Sequence, residues 1–351
     1  MQADLFNQDE PQEPKQPAVK GSPGTSNRTP MKHDVLHKMI SKEAGMYSAP
    51  MFHNRQAIWA DVCAGDGTKI TQDANCSPEL FIKHAVSVLE KSQRFNHTIY
   101  LVEKKASTYA TLVQSVEKYM DQYLRSSEFS DRIPDGYECP RESTRTSISR
   151  KWINDRNDCT LTIKTIHADS KIEKVIDWQQ LNSRDLAFIN NDPNNVEDFA
   201  IDPAEYEQVA KNGVWVQQFS TLGCNPSGLK RRPYEGRLIW YQNIAETIEA
   251  SPEWHKPIMF AFGNDKSRWG YMITTYGKNF DKCKDSIIKA YGSAADAGQL
   301  KHYDLLISGE PDGINKIIEY LVLTVEELET QSGLSQAQLY NHLKENYGVP
   351  Q

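Results

Sequence analysis

Ile58-Trp59-Ala60-Asp61-Val62-Cys63-Ala64-Gly65-Asp66-Gly67-Thr68 is an apolar run that passes straight into a turn of small residues carrying two glycines, with an acid on either side of Gly65. A parallel strand buried on both faces reads as a short apolar run. The turn at its carboxyl end must let backbone approach a ligand closely, which Gly65 and Gly67 allow because they lack a Cβ. The turn reads D-x-C-A-G-D-G, without the third glycine of the dinucleotide fingerprint G-x-G-x-x-G. Asp61 and Asp66 would repel a pyrophosphate, whereas they suit a ligand bearing an ammonium or sulfonium group.

Working outward, strands and helices alternate. Ser77-Pro78-Glu79 is a helix start, with Ser77 as cap, Pro78 at the first position and an acid in the first turn. Phe81, Ile82, Ala85, Val86 and Leu89 follow at helical spacing. Thr98 to Val102 reads as a second strand ending on Glu103, and a long helix runs on to about Leu124. Pro134, Gly136, Pro140 and the cations Arg141, Arg145, Arg150, Lys151 and Arg156 interrupt the rhythm, so 125–156 is expected to be an inserted loop or cap. Further strands are predicted at Leu161 to Ile166, Leu186 to Ile189, Val214 to Gln217, Ile258 to Phe262 and Tyr271 to Thr275, the last two as a hairpin. The expected fold is therefore α/β, a Rossmann-like doubly wound sheet, mostly parallel, with one antiparallel pair at its end.

The chain's two ends read differently. Residues 1–29 are rich in Gln, Pro, Asp, Glu, Ser and Gly and are expected to form a disordered leader. The principal domain is expected over 30–300. In 301–351, Ile314, Ile317, Ile318 and Leu321 mark an amphipathic helix, and Thr324 to Glu327 and Ser335 to Gln338 are capping boxes flanking Gly333. A small helical unit of helix-turn-helix type is the expectation. No apolar run has the length of a membrane span and no secretion signal opens the chain, which predicts a cytoplasmic protein without membrane contact. The six cysteines lack C-x-x-C pairing, so reduced thiols and no metal site are expected. A net charge of -7 over 351 residues gives no global attraction to nucleic acid, so binding of that kind has to rest on local basic patches.

Ligands of a doubly wound sheet sit at the carboxyl ends of the strands near the switch in strand order. That rule nominates Asp61, Cys63, Ala64, Gly65, Asp66 and Gly67 after the first strand. Glu103 follows the second, where a carboxylate can accept from both ribose hydroxyls of an adenosine, and Asp169 follows the third, where it can meet the exocyclic amine of adenine. Asn190, Asn191, Asp192, Pro193 and Asn194 follow the fourth, and Ser220 to Gly228, including Asn225, follow the fifth, with Lys230-Arg231-Arg232 just beyond. Three successive cations suit a phosphate backbone, although a charge run is also a common solvated face.

With these motifs the chain, from about Ile58 to Tyr276, resembles the class I S-adenosylmethionine-dependent methyltransferases. Within them it looks most like the three-Cys-motif partner proteins, with their D-x-x-A-G-x-G turn and a Ser-Pro helix start, here Ser77-Pro78. The resemblance implies S-adenosylmethionine as cofactor, with Asp61, Gly65 and Gly67 along its methionine moiety, Glu103 at the ribose and Asp169 at the adenine. Asn191 to Asn194 would face the methyl group. Amino-methyltransferases share a D/N/S-P-P-Y/F signature that holds a target amine and stacks the flipped base. Asn191-Asp192-Pro193 matches its start, but Asn194 and Asn195 replace the second proline and the aromatic, so a ring such as Tyr234 or Trp240 would have to stack instead. Asp192 is the expected proton acceptor or amine-orienting group, with a turn aspartate as its alternative role. The implied activity is methyl transfer to a nitrogen of a nucleic-acid base, DNA ahead of RNA. The alternatives are a small-molecule or protein acceptor, and a non-catalytic partner or regulatory protein.

Overall fold

The computed structural model describes residues 36–37, 39–41, 43–45, 47, 49–68, 76–126, 142–143, 147–154, 158–168, 176–183, 185–192, 212–222, 258–264, 267–276, 304–308 and 311–322, with positions 330, 333, 334, 338, 342 and 345. The strands are β1 (Gln56–Asp61), β2 (Asn96–Glu103), β3 (Glu142–Ser143), β4 (Ser147–Asn154), β5 (Cys159–His167), β6 (Leu186–Asn191), β7 (Trp215–Leu222), β8 (Ile258–Asn264), β9 (Ser267–Tyr276) and β10 (Asp304–Ser308). The helices bounded within the described residues are α1 (Ser77–Lys91), α2 (Ala106–Ser126) and α3 (Pro311–Val322). Helical residues also occur between 36 and 47.

All ten strands share one sheet in the order β10-β8-β9-β7-β6-β1-β2-β5-β4-β3. The middle of it, β7-β6-β1-β2-β5, is parallel. From β1 the chain builds outward through β2 to β5, then returns to the other side of β1 with β6 and β7. The reversal in strand order therefore falls between β1 and β6, where a crevice opens at the carboxyl ends in folds of this class. The expected hairpin is present as β8 and β9, paired from Ile258 opposite Ile273 to Asn264 opposite Ser267.

Helix α1 forms because Pro78 presets the first turn, Glu79 meets the positive helix end and Lys91 the negative one. Its cap position is Cys76 and not Ser77, and no side-chain capping bond forms. Leu80, Phe81, Ile82, Ala85, Val86, Val88 and Leu89 are buried against the sheet. Leu112, Val116 and Met120 of α2 join the same core. Tyr47, from the helical segment ahead of β1, sits among Phe52, Trp59, Phe95 and His97 and accepts a hydrogen bond from Trp59 Nε1 at 3.2 Å. In α3, Ile314, Ile317, Ile318 and Leu321 are buried as their spacing predicts.

Two expectations change. The described part of 125–156 is not a loop, because β4 pairs antiparallel along β5 and β3 pairs with β4, widening the sheet at that edge. Residues 304–322 do not form a separate helical unit either: β10 pairs antiparallel with β8, and α3 packs on these strands. The leader 1–29 lies outside the described residues, as do both capping boxes apart from Gln338. No helix among the described residues is long and apolar enough to cross a membrane.

Candidate functional site

The carboxyl ends of the parallel strands form a row. Glu103 stands opposite His167, Asp61 opposite Leu101 on one side and Asn190 on the other, and Asn191 opposite Ser220. The turn after β1 is stitched into this row from both sides. Val62 N–H donates to the Asn190 carbonyl at 3.0 Å, and Ala64 N–H donates to the Val102 carbonyl at 2.9 Å. The structure thus gathers Asp61, Cys63, Ala64, Gly65, Asp66, Gly67, Asn190 and Asn191 at the strand-order switch, with Glu103 on the adjoining strand.

Asp61 is fully buried. Its Oδ1 accepts from the Cys63 amide at 3.2 Å and from Asn190 Nδ2 at 3.1 Å. Its Oδ2 is buried with no hydrogen-bond partner; the Ser77 hydroxyl lies near enough to favour the ionised form without completing a well-shaped bond. Burial pushes this carboxyl up to about 6, against the opposing pull of Ser77, the Cys63 amide and Asn190, while the charge of Asp192 adds to the rise. A carboxylate held in this way is stabilised by a cation placed beside Oδ2.

Gly65 and Gly67 have φ of +65° and +68°, conformations that favour glycine. Their surroundings differ. A Cβ on the half-buried Gly65 would meet no atom within 4 Å, so that side of the turn is open. A Cβ on Gly67 would meet Ser115 Cβ at 2.9 Å and Leu112 Cδ1 at 3.2 Å, so the far limb of the turn is pressed onto α2. The turn carbonyls are held from that side: Ser115 Oγ donates to the Asp66 carbonyl at 3.0 Å, and Tyr119 Oη and Cys76 Sγ donate to the Gly67 carbonyl at 2.6 and 3.0 Å. Burial pushes the Cys76 thiol up to about 11, and burial followed by the neighbouring thiol pushes the Tyr119 hydroxyl up as well. Both remain protonated donors at neutral pH.

Other predicted residues have partners that narrow their roles. The Asp66 carboxylate folds back on its own turn, with Oδ1 accepting from the amide and hydroxyl of Thr68 at 2.9 and 2.7 Å. Glu103 Oε1 accepts the Lys105 amide at 2.7 Å at the start of α2. One oxygen of the Glu103 carboxylate is thereby engaged by its own chain. Cys63 Sγ approaches Asn191 Oδ1 at 3.7 Å, joining the turn to the end of β6. Asp192 is half-buried beyond it. Asp169, Pro193, Asn194, Asn225, Lys230, Arg231 and Arg232 lie outside the described residues, as do Tyr234 and Trp240.

The sequence reading missed the underside of the turn. Ser115, Tyr119 and Tyr123 recur at intervals of four along α2, a polar stripe on one face of the helix, and Tyr123 Oη donates to the buried Glu79 Oε1 at 2.7 Å. That spacing was the available signal. At the end of β5, the His167 ring stacks on Tyr109 and its Nε2 lies 2.9 Å from the Lys104 carbonyl beside Glu103.

Among the described residues, no group of three or more His, Cys, Asp or Glu is placed to hold a metal ion. No family model and no curated protein matches this chain. Several solved structures are similar over much of its length. A protein from Legionella pneumophila str. Philadelphia 1 has 10% identity and a TM-score of 0.40, over 81% of this chain and 97% of that one. A cofactor-bound protein from MTB has 10% identity and a TM-score of 0.35, over 73% and 83%. Precorrin-6y C5,15-methyltransferase from Geobacter metallireducens GS-15 has 7% identity and a TM-score of 0.27, over 70% and 87%.

Proposed function

We propose that the crevice at the β1/β6 switch holds S-adenosylmethionine and that the protein transfers its methyl group to a nitrogen of a nucleic-acid base, DNA in the first instance. The observation that carries the cofactor reading is the buried, unpartnered Oδ2 of Asp61 at the start of a turn in which the half-buried Gly65 leaves its Cβ position open. A carboxylate in that position calls for a cationic ligand, and an adenosyl sulfonium amino acid supplies positive charge together with a ribose for Glu103. The sequence motif, D-x-C-A-G-D-G followed by Ser77-Pro78, favours the same cofactor through its family resemblance.

When bound, the cofactor supplies an electrophilic methyl carbon on sulfur, so the protein needs no metal and acts mainly by alignment. Asp61 and the turn hold the amino-acid end, Glu103 holds the ribose, and Asn190 fixes Asp61 through its amide. Asn191 and Asp192, with Pro193 next in sequence, then stand at the methyl end. Asp192 would orient the acceptor nitrogen toward that methyl group and accept the proton that the nitrogen sheds. The nucleic-acid reading draws on the motif Asn191-Asp192-Pro193 and on Lys230-Arg231-Arg232 after β7, with Asn194 and Asn225 as further substrate contacts.

Nucleoside mass spectrometry on cells expressing the wild type or Asp192→Ala tests this. A methylated base present with the wild type and missing with the variant is the expected result. Methylated bases in both cultures, or in neither, would count against the roles assigned here and turn attention to a small-molecule or protein acceptor or a non-catalytic partner role.

A further inference from the structure

The peptide between Asp66 and Gly67 has its carbonyl drawn toward α2 by Ser115 Oγ at 3.0 Å. The bond is trans, so its N–H, which belongs to Gly67, points the opposite way, off the helix. The next carbonyl, that of Gly67, is drawn to the same side by Tyr119 Oη and Cys76 Sγ. A Cβ at Gly67 would collide with Ser115 and Leu112, so this limb of the turn lies close against α2. Gly67 is buried, and among the described residues its amide has no hydrogen-bond acceptor, an uncommon state for a buried N–H. Such an amide attracts an anion, and Oδ2 of Asp61, at the other end of the same turn, attracts a cation. A zwitterion satisfies both, and the α-amino-acid end of a ligand is one.

We infer that Tyr119, Ser115 and Cys76 form a clamp that positions the glycine turn, aiming the Gly67 amide at the carboxylate of the ligand's amino-acid end. This rests on the cofactor reading above and goes past it, because it assigns residues of α2 and the α1 cap to recognition of one chemical group. Tyr119 touches no ligand in this account; it is a positioning residue acting through the backbone.

The test is calorimetry on the full chain with two ligands that share the adenosine and the sulfur. S-adenosylhomocysteine carries the amino-acid end, and 5′-methylthioadenosine lacks it. Tyr119→Phe should weaken S-adenosylhomocysteine about tenfold while changing 5′-methylthioadenosine by less than about twofold, the scale of one misdirected hydrogen bond to a charged group. Ser115→Ala, which frees the neighbouring carbonyl, should give the same split and serves if Tyr119→Phe does not fold. Equal weakening of both ligands, or no change in either, overturns the clamp while leaving the cofactor reading intact. A wild type that binds neither ligand overturns both.

Discussion

At the scale of single residues, two buried ionisable groups carry opposite pH signatures. Asp61 has its carboxyl raised from 3.8 to about 6 by burial, so the folded state keeps a proton that the unfolded chain has lost; the stability this gives is full below 3.8 and is lost as pH rises through 6. His97 is buried against Trp59 with neither ring nitrogen partnered, and burial lowers it from 6.5 to about 3. Its contribution is full above 6.5 and is lost as pH falls toward 3. Between pH 4 and 6 the two slopes offset each other. Asp61→Asn should therefore stabilise the fold at pH 8 by up to about 3 kcal/mol, at about 1.4 kcal/mol per pKa unit. It should also steepen the loss of stability on acidification from pH 6 to 4. Urea unfolding at pH 4, 6 and 8 reads both effects, and a variant no more stable than wild type at pH 8 would show that Asp61 is not a strained carboxylate. A native residue that weakens its own fold fits a site kept for binding.

At the scale of elements, α3 tests how far the C-terminal region belongs to the sheet. Ile317 is fully buried where α3 packs on β8 and β10, so Ile317→Ala should lower the unfolding free energy by about 2–5 kcal/mol. Chemical denaturation followed by tryptophan fluorescence would check it, because a loss under about 1 kcal/mol would mean that α3 is detached from the cooperative unit. The apolar spacing that placed α3 was readable in sequence, as were α1, the central parallel strands and the hairpin. The edges were not. In β4, Ser147 to Asn154 interleaves Arg150 and Lys151 with Ile148, Trp152 and Ile153, the charged pattern of an edge strand, and beside Pro134 and Pro140 it reads as loop. In β10, Leu305-Leu306-Ile307 is an apolar run too short to tell strand from helix without its partner β8. The clamp escaped notice because it depends on α2 lying under a turn about fifty positions earlier in the chain, a contact that only the packed fold creates.

At the scale of the molecule, the strand-order reversal at β1 brings together the groups that the site needs. Asp61, Gly65, Asn190 and Glu103 come from three strands and one turn, far apart in sequence, and the parallel register sets their carboxyl ends side by side. The sequence showed which residue types follow each strand. It did not show that Glu103 spends one oxygen on α2, that Asp66 folds onto Thr68, or that one Asp61 oxygen is left without a partner. The measurement that bears most directly on the whole account is the heat of binding of S-adenosylmethionine to the purified full chain, set beside Asp61→Ala. Saturable binding to the wild type, weakened at least about tenfold in the variant, is what the arrangement predicts. Absence of binding to the wild type, or equal affinity in the two proteins, would contradict it.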